Sequence, residues 1–321
     1  MEEVGASGRS VRTGFKNKNR RKMQDQVATA AFWLASAIVT MILAFLVGYI
    51  ALHGWRSVDI KFLTSPAKNL EGGGGIGPQI FDSFYLLFLS MTITVPLGLG
   101  AAVFLSEYAK PNRFTALIRL CTETLSSLPS IVVGLFGLLV FVTYTGFGYS
   151  LLAGALALTV LNLPVMVRVS EDALRSVPMD LREASLALGA NLYQTIYRVV
   201  IPAALPRLVT GIILASGRVF GEAAALIYTA GMSSPPLNWA NMNPFNYTSP
   251  LNPLRPGETL AVHIWKINSE SLIPDVRRVA DGSAFVLVLV VVLFNVVARW
   301  LQARIYRKMT GTRAVDLHAA S

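Results

Sequence analysis

The chain has 321 residues, 53% of them hydrophobic and 14% charged, with a formal net charge of +10. A soluble domain is roughly 25% charged, so this apolar excess is more than one soluble core of this length can hide, and the positive balance reads as a membrane feature, not a nucleic-acid footprint. One cysteine, Cys121, and three widely separated histidines, His53, His263 and His318, exclude a disulfide framework and offer no metal-ligand spacing.

A hydrocarbon layer about 30 Å thick needs about 20 mostly apolar helical residues to cross it. By that measure the sequence predicts an all-α polytopic membrane protein with six spans, at 27–52, 80–105, 125–144, 149–169, 208–230 and 284–300. The basic residues ahead of the first span also suit a secretory signal. Its apolar run far exceeds the roughly 7–15 residues of a signal core, so an uncleaved anchor is expected, with 1–26 a solvated basic tail drawn to anionic lipid head groups. The glycine run Gly72 to Gly75 reads as a flexible loop. No GxxxxGK[ST] occurs in the chain, so it supplies no P-loop.

The third span opens on SSLPS, where Ser126, Ser127 and Ser130 flank Pro129. Two readings stand level. The serines are cytoplasm-facing loop residues, or they mark a break from which a helix starts with free N–H groups aimed at an anion.

Between spans four and five, residues 176–207 are amphipathic. Pro178 suits a helix start, Leu181, Ala184 and Leu188 share a face, and Gly189 is placed to end the helix. Asn191 can cap a second helix with Tyr193, Ile196, Tyr197 and Val200 on one apolar face, broken by Pro202 and Pro206. The result is a projecting elbow whose apolar face needs a partner or a lipid surface.

In the fifth span Arg218 and Glu222 stand i, i+4, so in a helix they share a face and can pair. A charge near mid-bilayer costs roughly 2.5–3.5 kcal/mol, so both must be paired or wet. Either they form a buried ion pair that fixes packing, or the arginine faces a pathway, where guanidinium suits an oxyanion in bidentate fashion. Gly217 and Gly221 form a GxxxG that permits close helix approach.

Topology follows from Lys and Arg in the flanking segments. Twenty fall on the side of the two termini and seven on the other, although that side holds the longest loop, 231–282. Both termini are therefore predicted to be cytoplasmic. The organisation is a basic tail at 1–26, a membrane domain at 27–303 and a cytoplasmic tail at 304–321.

Glu183-Ala184-Ser185, Gly189 and Ile201-Pro202 resemble the EAA signature of ABC importer permeases, departing in Ser185 for the second alanine. LSEYA (105–109), LPSIVVGLFGL (128–138), GFGYSLLAG (146–154), LPVMVRVSEDALRSVP (163–178), GRVFGEAAAL (217–226) and LAVHIW (260–265) are similar to the PstA-type permease of the phosphate-specific ABC importer. Two segments depart from that pattern. Ile80-Phe81-Asp82-Ser83 stands where a Gly-Thr pair usually opens span two, and 241–256 matches nothing in it.

The resemblance implies a type I ABC importer permease fold, a core of five helices plus a peripheral first span, in the bacterial inner membrane. It implies coupling to a separate ATPase through Glu183, Ala184, Gly189 and Pro202, and a translocation path touched by Arg218, Glu222, Ser127 and Ser130. The implied partners are a homologous second permease, an ATP-binding dimer that uses ATP and Mg, and an extracytoplasmic phosphate-binding protein. No cofactor, metal or catalytic residue is expected in this chain, nor any nucleic-acid partner. Alternatives are a permease for another oxyanion, sulfate or molybdate, and an ion-coupled secondary transporter. The latter is disfavoured because the six spans show no internal repeat. A membrane enzyme is disfavoured because the spans hold neither a histidine nor a compact carboxylate cluster.

Overall fold

Inside a hydrocarbon layer every backbone N–H and C=O must be satisfied within its own segment or a closed sheet. The computed structural model, which describes residues 7–68, 73–270 and 273–310, meets this demand with helices and has no strand among the described residues. The chain divides into two units, Met1–His53 and Gly54–Ser321. The described residues of the first lie in one helix, α1 (Ser7–Gly54), which supplies most of a stretch, Lys22–Ser57, long and apolar enough to cross a membrane. The basic tail expected at 1–26 is helical from Ser7 onward.

The second unit opens with α2 (Ile60–Thr64), capped by Asp59, whose side chain accepts from Phe62 N at 2.6 Å. Next come α3 (Gly77–Val103), prolonged by a π turn over Phe104–Tyr108, and α4 (Arg113–Ser126). Then α5 (Ser130–Gly137) is prolonged by a π turn over Leu138–Tyr144, followed by α6 (Leu151–Arg175), α7 (Met179–Ala187) and α8 (Leu192–Thr195). A π turn over Ile196–Val200 leads into α9 (Ile201–Gly221), before α10 (Ala224–Ile227), α11 (Leu260–Glu270) and α12 (Val276–Thr310). Five stretches are long and apolar enough to cross a membrane, and the pair α4 and α5, bent by 101°, makes the sixth if counted as one span.

Four expectations change. The third span begins at Ser130 and not at 125, because Pro129 cannot continue α4 and the chain turns sharply there. Pro202 and Pro206 do not break the chain before span five: Leu192–Gly221 is one helical run that passes through a π turn just ahead of Pro202. That run ends at Gly221, so 222–230 lies beyond the long helix. The glycine segment is no flexible loop where it is described. Gly75 N, Ile76 N and Gly77 N donate to Pro66 O, Phe62 O and Ser65 O, and a Cβ on Gly75 would stand 2.5 Å from Phe62 O.

The core of this unit is α3 laid along α6. Small residues set the approach: a Cβ on Gly98 would meet Met166 Cγ at 2.6 Å, and Thr94 donates to Thr159 Oγ1 at 3.1 Å between the two helices. Two buried clusters close the ends. Phe62, Ile76, Leu260, Ile267 and Val279 gather where α3 starts. Ala102, Leu174, Val200, Ala204 and Leu208 gather where it ends, beneath the elbow.

Candidate translocation and coupling site

The elbow is built by local rules. Leu188 ends α7, and Gly189 follows at φ +87°, a conformation that disfavours any side chain. Gly189 N donates to Leu186 O at 2.9 Å and Ala190 N to Ser185 O at 3.2 Å, the paired bonds of a Schellman motif. Asn191 and Gln194 then form a reciprocal capping box that restarts the chain as α8. Ser185, the departure from the alanine of the signature, bonds Thr195 Oγ1 at 2.9 Å across the turn, tying the two arms together. Arg182 pairs with the buried Glu107 at the end of the α3 run and also donates to Leu174 O at 2.8 Å. The elbow is thus braced against α3 and α6.

Glu183, Ala184 and Gly189 are exposed on this brace, and Leu188 at its tip is 90% exposed. The expected face on the second arm divides. Ile196 and Val200 are buried in the bundle, while Tyr193 and Tyr197 stack 6.2 Å apart on the outside. Pro202 lies within α9, behind the elbow and not on its tip.

The expected Arg218–Glu222 pair is not formed. α9 terminates at Gly221, and Glu222 adopts an extended backbone conformation, so the i, i+4 relation is lost. Glu222 Oε1 instead accepts from Ala225 N at 3.2 Å, starting α10. Arg218 is exposed in the last turn of α9, where the helix C-terminal carbonyls favour a cation. Its depth follows from packing. A Cβ on Gly211 would stand 2.4 Å from Val169 Cγ1, fixing where the antiparallel α9 and α6 meet. Arg218, about 10 Å further along α9, is then level with Asn162, midway along α6. Gly217 and Gly221 make no close helix contact within this chain: the nearest atom to a Cβ on Gly217 is 3.8 Å away, and a Cβ on Gly221 meets nothing.

Ser130 opens α5. Gly134 lets α5 approach α10 so closely that a Cβ there would be 2.8 Å from Ala225 Cα, and one turn before this contact on each side stand Ser130 and Glu222. Ser127 is at the end of α4, its hydroxyl donating to Thr124 O at 2.7 Å. One long helix therefore ends, and another begins after Pro129, in the middle of the bundle. Among the described residues, no group of three or more His, Cys, Asp or Glu could hold a metal ion.

The model of the family described as "Binding-protein-dependent transport system inner membrane component" matches residues 94–311. This chain belongs to that family. The permease is 56% identical over 290 residues to the "Probable ABC transporter permease protein YqgI" of Bacillus subtilis (strain 168), covering 90% of this chain and 99% of the relative. It is 35% identical over 218 residues to the "Phosphate transport system permease protein PstA 1" of Mycobacterium tuberculosis (strain ATCC 25618 / H37Rv), covering 67% and 70%. In fold it is similar to a chain of a bacterial alginate ABC transporter crystallised with an alginate pentasaccharide-bound periplasmic protein, with a TM-score of 0.62 at 12% identity over 89% of this permease and 97% of that chain. A chain of the inward-facing MetNI methionine ABC transporter gives a TM-score of 0.52 at 20% identity, over 72% and 94%. The permease is a multi-pass inner-membrane subunit of an ABC importer with the type I fold and is not an enzyme. The family is that of binding-protein-dependent transport systems, so the secondary-transporter reading is set aside.

Sequence reasoning missed the most constrained polar site of the permease, which lies at the end of the bundle opposite the elbow. Asp82 of α3 and Arg255 of the long loop form an ion pair in which both side chains are 0% exposed. All five guanidinium N–H groups are used, on Asp82, Pro250 O and Pro256 O. Ser234 Oγ donates to the same carboxylate at 2.6 Å. Beside it Gln79 donates to Glu258 Oε2 at 3.0 Å, with His263 Nδ1 3.2 Å and Lys266 Nζ 3.5 Å from Oε1. Burial pushes the Glu258 carboxyl up, but His263, Lys266 and Gln79 outweigh it and hold the group below its ordinary value. The available signal was the coincidence of a charge at the start of span two with a loop arginine.

Proposed function

We propose that this permease forms half of the path of an ATP-driven inorganic phosphate importer, with a homologous second permease forming the other half. The observation behind this reading is Arg218, exposed at mid-depth beside the end of α9. An exposed guanidinium cannot face lipid tails without a large cost, and irregular backbone such as Gly221-Glu222-Ala223 is tolerated at this depth only against protein or water. Both conditions suit a wet seam between two permeases. Guanidinium offers phosphate a permanent charge and a bidentate fork. The phosphate transport names of relatives about 35% identical support the same substrate.

In this reading Ser130 and Ser127 line the break after α4, and Glu222 holds α10 where it faces the path. Glu183, Ala184 and Gly189 dock on a separate ATPase that uses ATP and Mg, and Pro202 positions the elbow on α9. Both termini and the elbow are cytoplasmic, as the excess of Lys and Arg on that side favours. An extracytoplasmic binding protein delivers phosphate at the Asp82–Arg255 end.

The test is radiolabelled phosphate uptake in proteoliposomes carrying the whole complex, with sulfate and molybdate as competitors. We expect Arg218→Ala to assemble and lose most uptake. Wild-type rates in the assembled variant would overturn the pathway role, and stronger competition by sulfate or molybdate than by unlabelled phosphate would overturn the substrate.

A further inference from the structure

The bent pair α4 and α5 leaves a groove between α4 and α6 that the transport reading does not use. α4 presents two faces. Phe114, Leu117 and Leu120 are exposed along one side, Leu117 also lining the apolar part of the groove, while Thr115, Arg119, Thr122 and Ser126 recur at helical spacing on another. The groove changes character along its length. Its apolar part, about 340 Å³, is lined by Ala101, Ile118, Cys121, Leu125 and Leu163. Its polar part, about 400 Å³, is lined by Arg119, Arg168 and Arg175 with Glu123, Glu171 and Asp172. Leu105, Thr122, Pro164 and Val167 line both, so the two parts adjoin each other.

The direction of this change is informative. On α6 the apolar part is lined by Leu163, Pro164 and Val167, near the middle of the helix, and the polar part by residues up to Arg175 at its elbow end. Across about 18 Å of helix, the lining passes from hydrocarbon to charge in the same sense as a lipid leaflet. Three arginines and three carboxylates line the polar part, and they are only partly paired. Arg119 and Arg175 both reach Glu171 Oε1, each at 2.7 Å, so one carboxylate is shared by two half-exposed guanidinium groups. Arg168, Glu123 and Asp172 form no ion pair among the described residues.

We propose that this groove is a phospholipid site, selective for a head group that carries both a phosphate and a primary ammonium. The arginines bond the phosphate, Asp172 and Glu123 take the ammonium, and one acyl chain lies along Leu163, Ile118 and Cys121. A purely anionic head group leaves the two carboxylates opposed, and a quaternary ammonium offers them no N–H donor.

Cys121 reports on the groove directly because it lines the apolar part and is the only cysteine of the chain. The experiment measures maleimide labelling of this chain, by intact mass, in the detergent-solubilised complex. Dioleoylphosphatidylethanolamine, dioleoylphosphatidylcholine, dioleoylphosphatidylglycerol and inorganic phosphate are added separately. We expect phosphatidylethanolamine to slow labelling several-fold, with little effect from the others. The exposed pair Arg168→Ala and Asp172→Ala should abolish that protection without lowering the melting temperature of the complex. Equal protection by all three lipids would reduce the groove to simple immersion. Protection by phosphate alone, retained protection in the double variant, or no protection at all would each overturn the site. So would a Cys121 unreactive in every mixture, which would mean that protein covers the groove.

Discussion

Asp82 and Arg255, 173 positions apart in sequence, meet as a fully buried ion pair, and they come from the two segments, 80–83 and 241–256, that depart from the PstA-type pattern. The departures are therefore one feature and not two. Arg255 O and Pro253 O also accept from Leu151 N and Leu152 N, so the loop held by the pair caps the start of α6. Tyr85 adds a bond to Leu251 O at 2.6 Å.

Removing one partner strands a buried charge, so Arg255→Ala is expected to cost about 3–5 kcal/mol. Replacing both with apolar residues, Asp82→Leu with Arg255→Met, removes the stranded charge and should recover much of that loss. Thermal unfolding of the purified complex, with proteolytic nicking of the 238–254 loop as a local probe, checks both. A double variant no better than the single one would show that the hydrogen bonds to Pro250 and Pro256 matter more than the charge pair.

At Gly189 the left-handed backbone is the whole constraint, since a Cβ there would meet nothing within 4 Å. Gly189→Asn, which tolerates this conformation, should keep the elbow, whereas Gly189→Ala should cost about 1 kcal/mol. Gly189→Glu adds strain, bulk and charge at the tip, so ATPase co-purification and uptake should both fail while the chain still inserts. Normal ATPase association in Gly189→Glu would remove the coupling role.

Because Glu222 accepts from Ala225 N and does not pair with Arg218, its two substitutions should separate. Glu222→Gln retains the acceptor for Ala225 N and should transport phosphate nearly as well as the parent. Glu222→Ala loses that bond, at about 1 kcal/mol, and should reduce uptake. If Glu222→Gln proves as damaging as Arg218→Ala in assembled complexes, charge and not that bond governs this position.

Topology is testable at two exposed positions in a Cys121→Ser background. Phe245 is 94% exposed on the long loop, and Leu188 is at the elbow tip. An impermeant thiol reagent added from outside intact cells should label Phe245→Cys and spare Leu188→Cys. The reverse pattern would invert the assigned orientation.

Helix positions were legible in the sequence because hydrophobic length is a local property: α1, α3, α6 and α12 contain the apolar runs that mark them. The elbow was legible for the same reason, since a glycine C-cap and an Asn191 N-cap are written within a few residues of one another, to which the structure adds Gln194 as the other half of a capping box. Helix ends inside the bundle were not. Pro202 continues a helix that a π turn precedes, and α9 stops at Gly221, just before α10 packs closely on α5 at Gly134. Once α9 stops at Gly221, two charges spaced for one helical face no longer share it. The Asp82–Arg255 pair shows the same limit at longer range. Sequence alone set which segments are apolar and which turns are glycine-capped, because those follow from neighbouring residues. Only the tertiary structure decided which buried charge finds which partner, because that choice minimises desolvation across segments far apart in the chain.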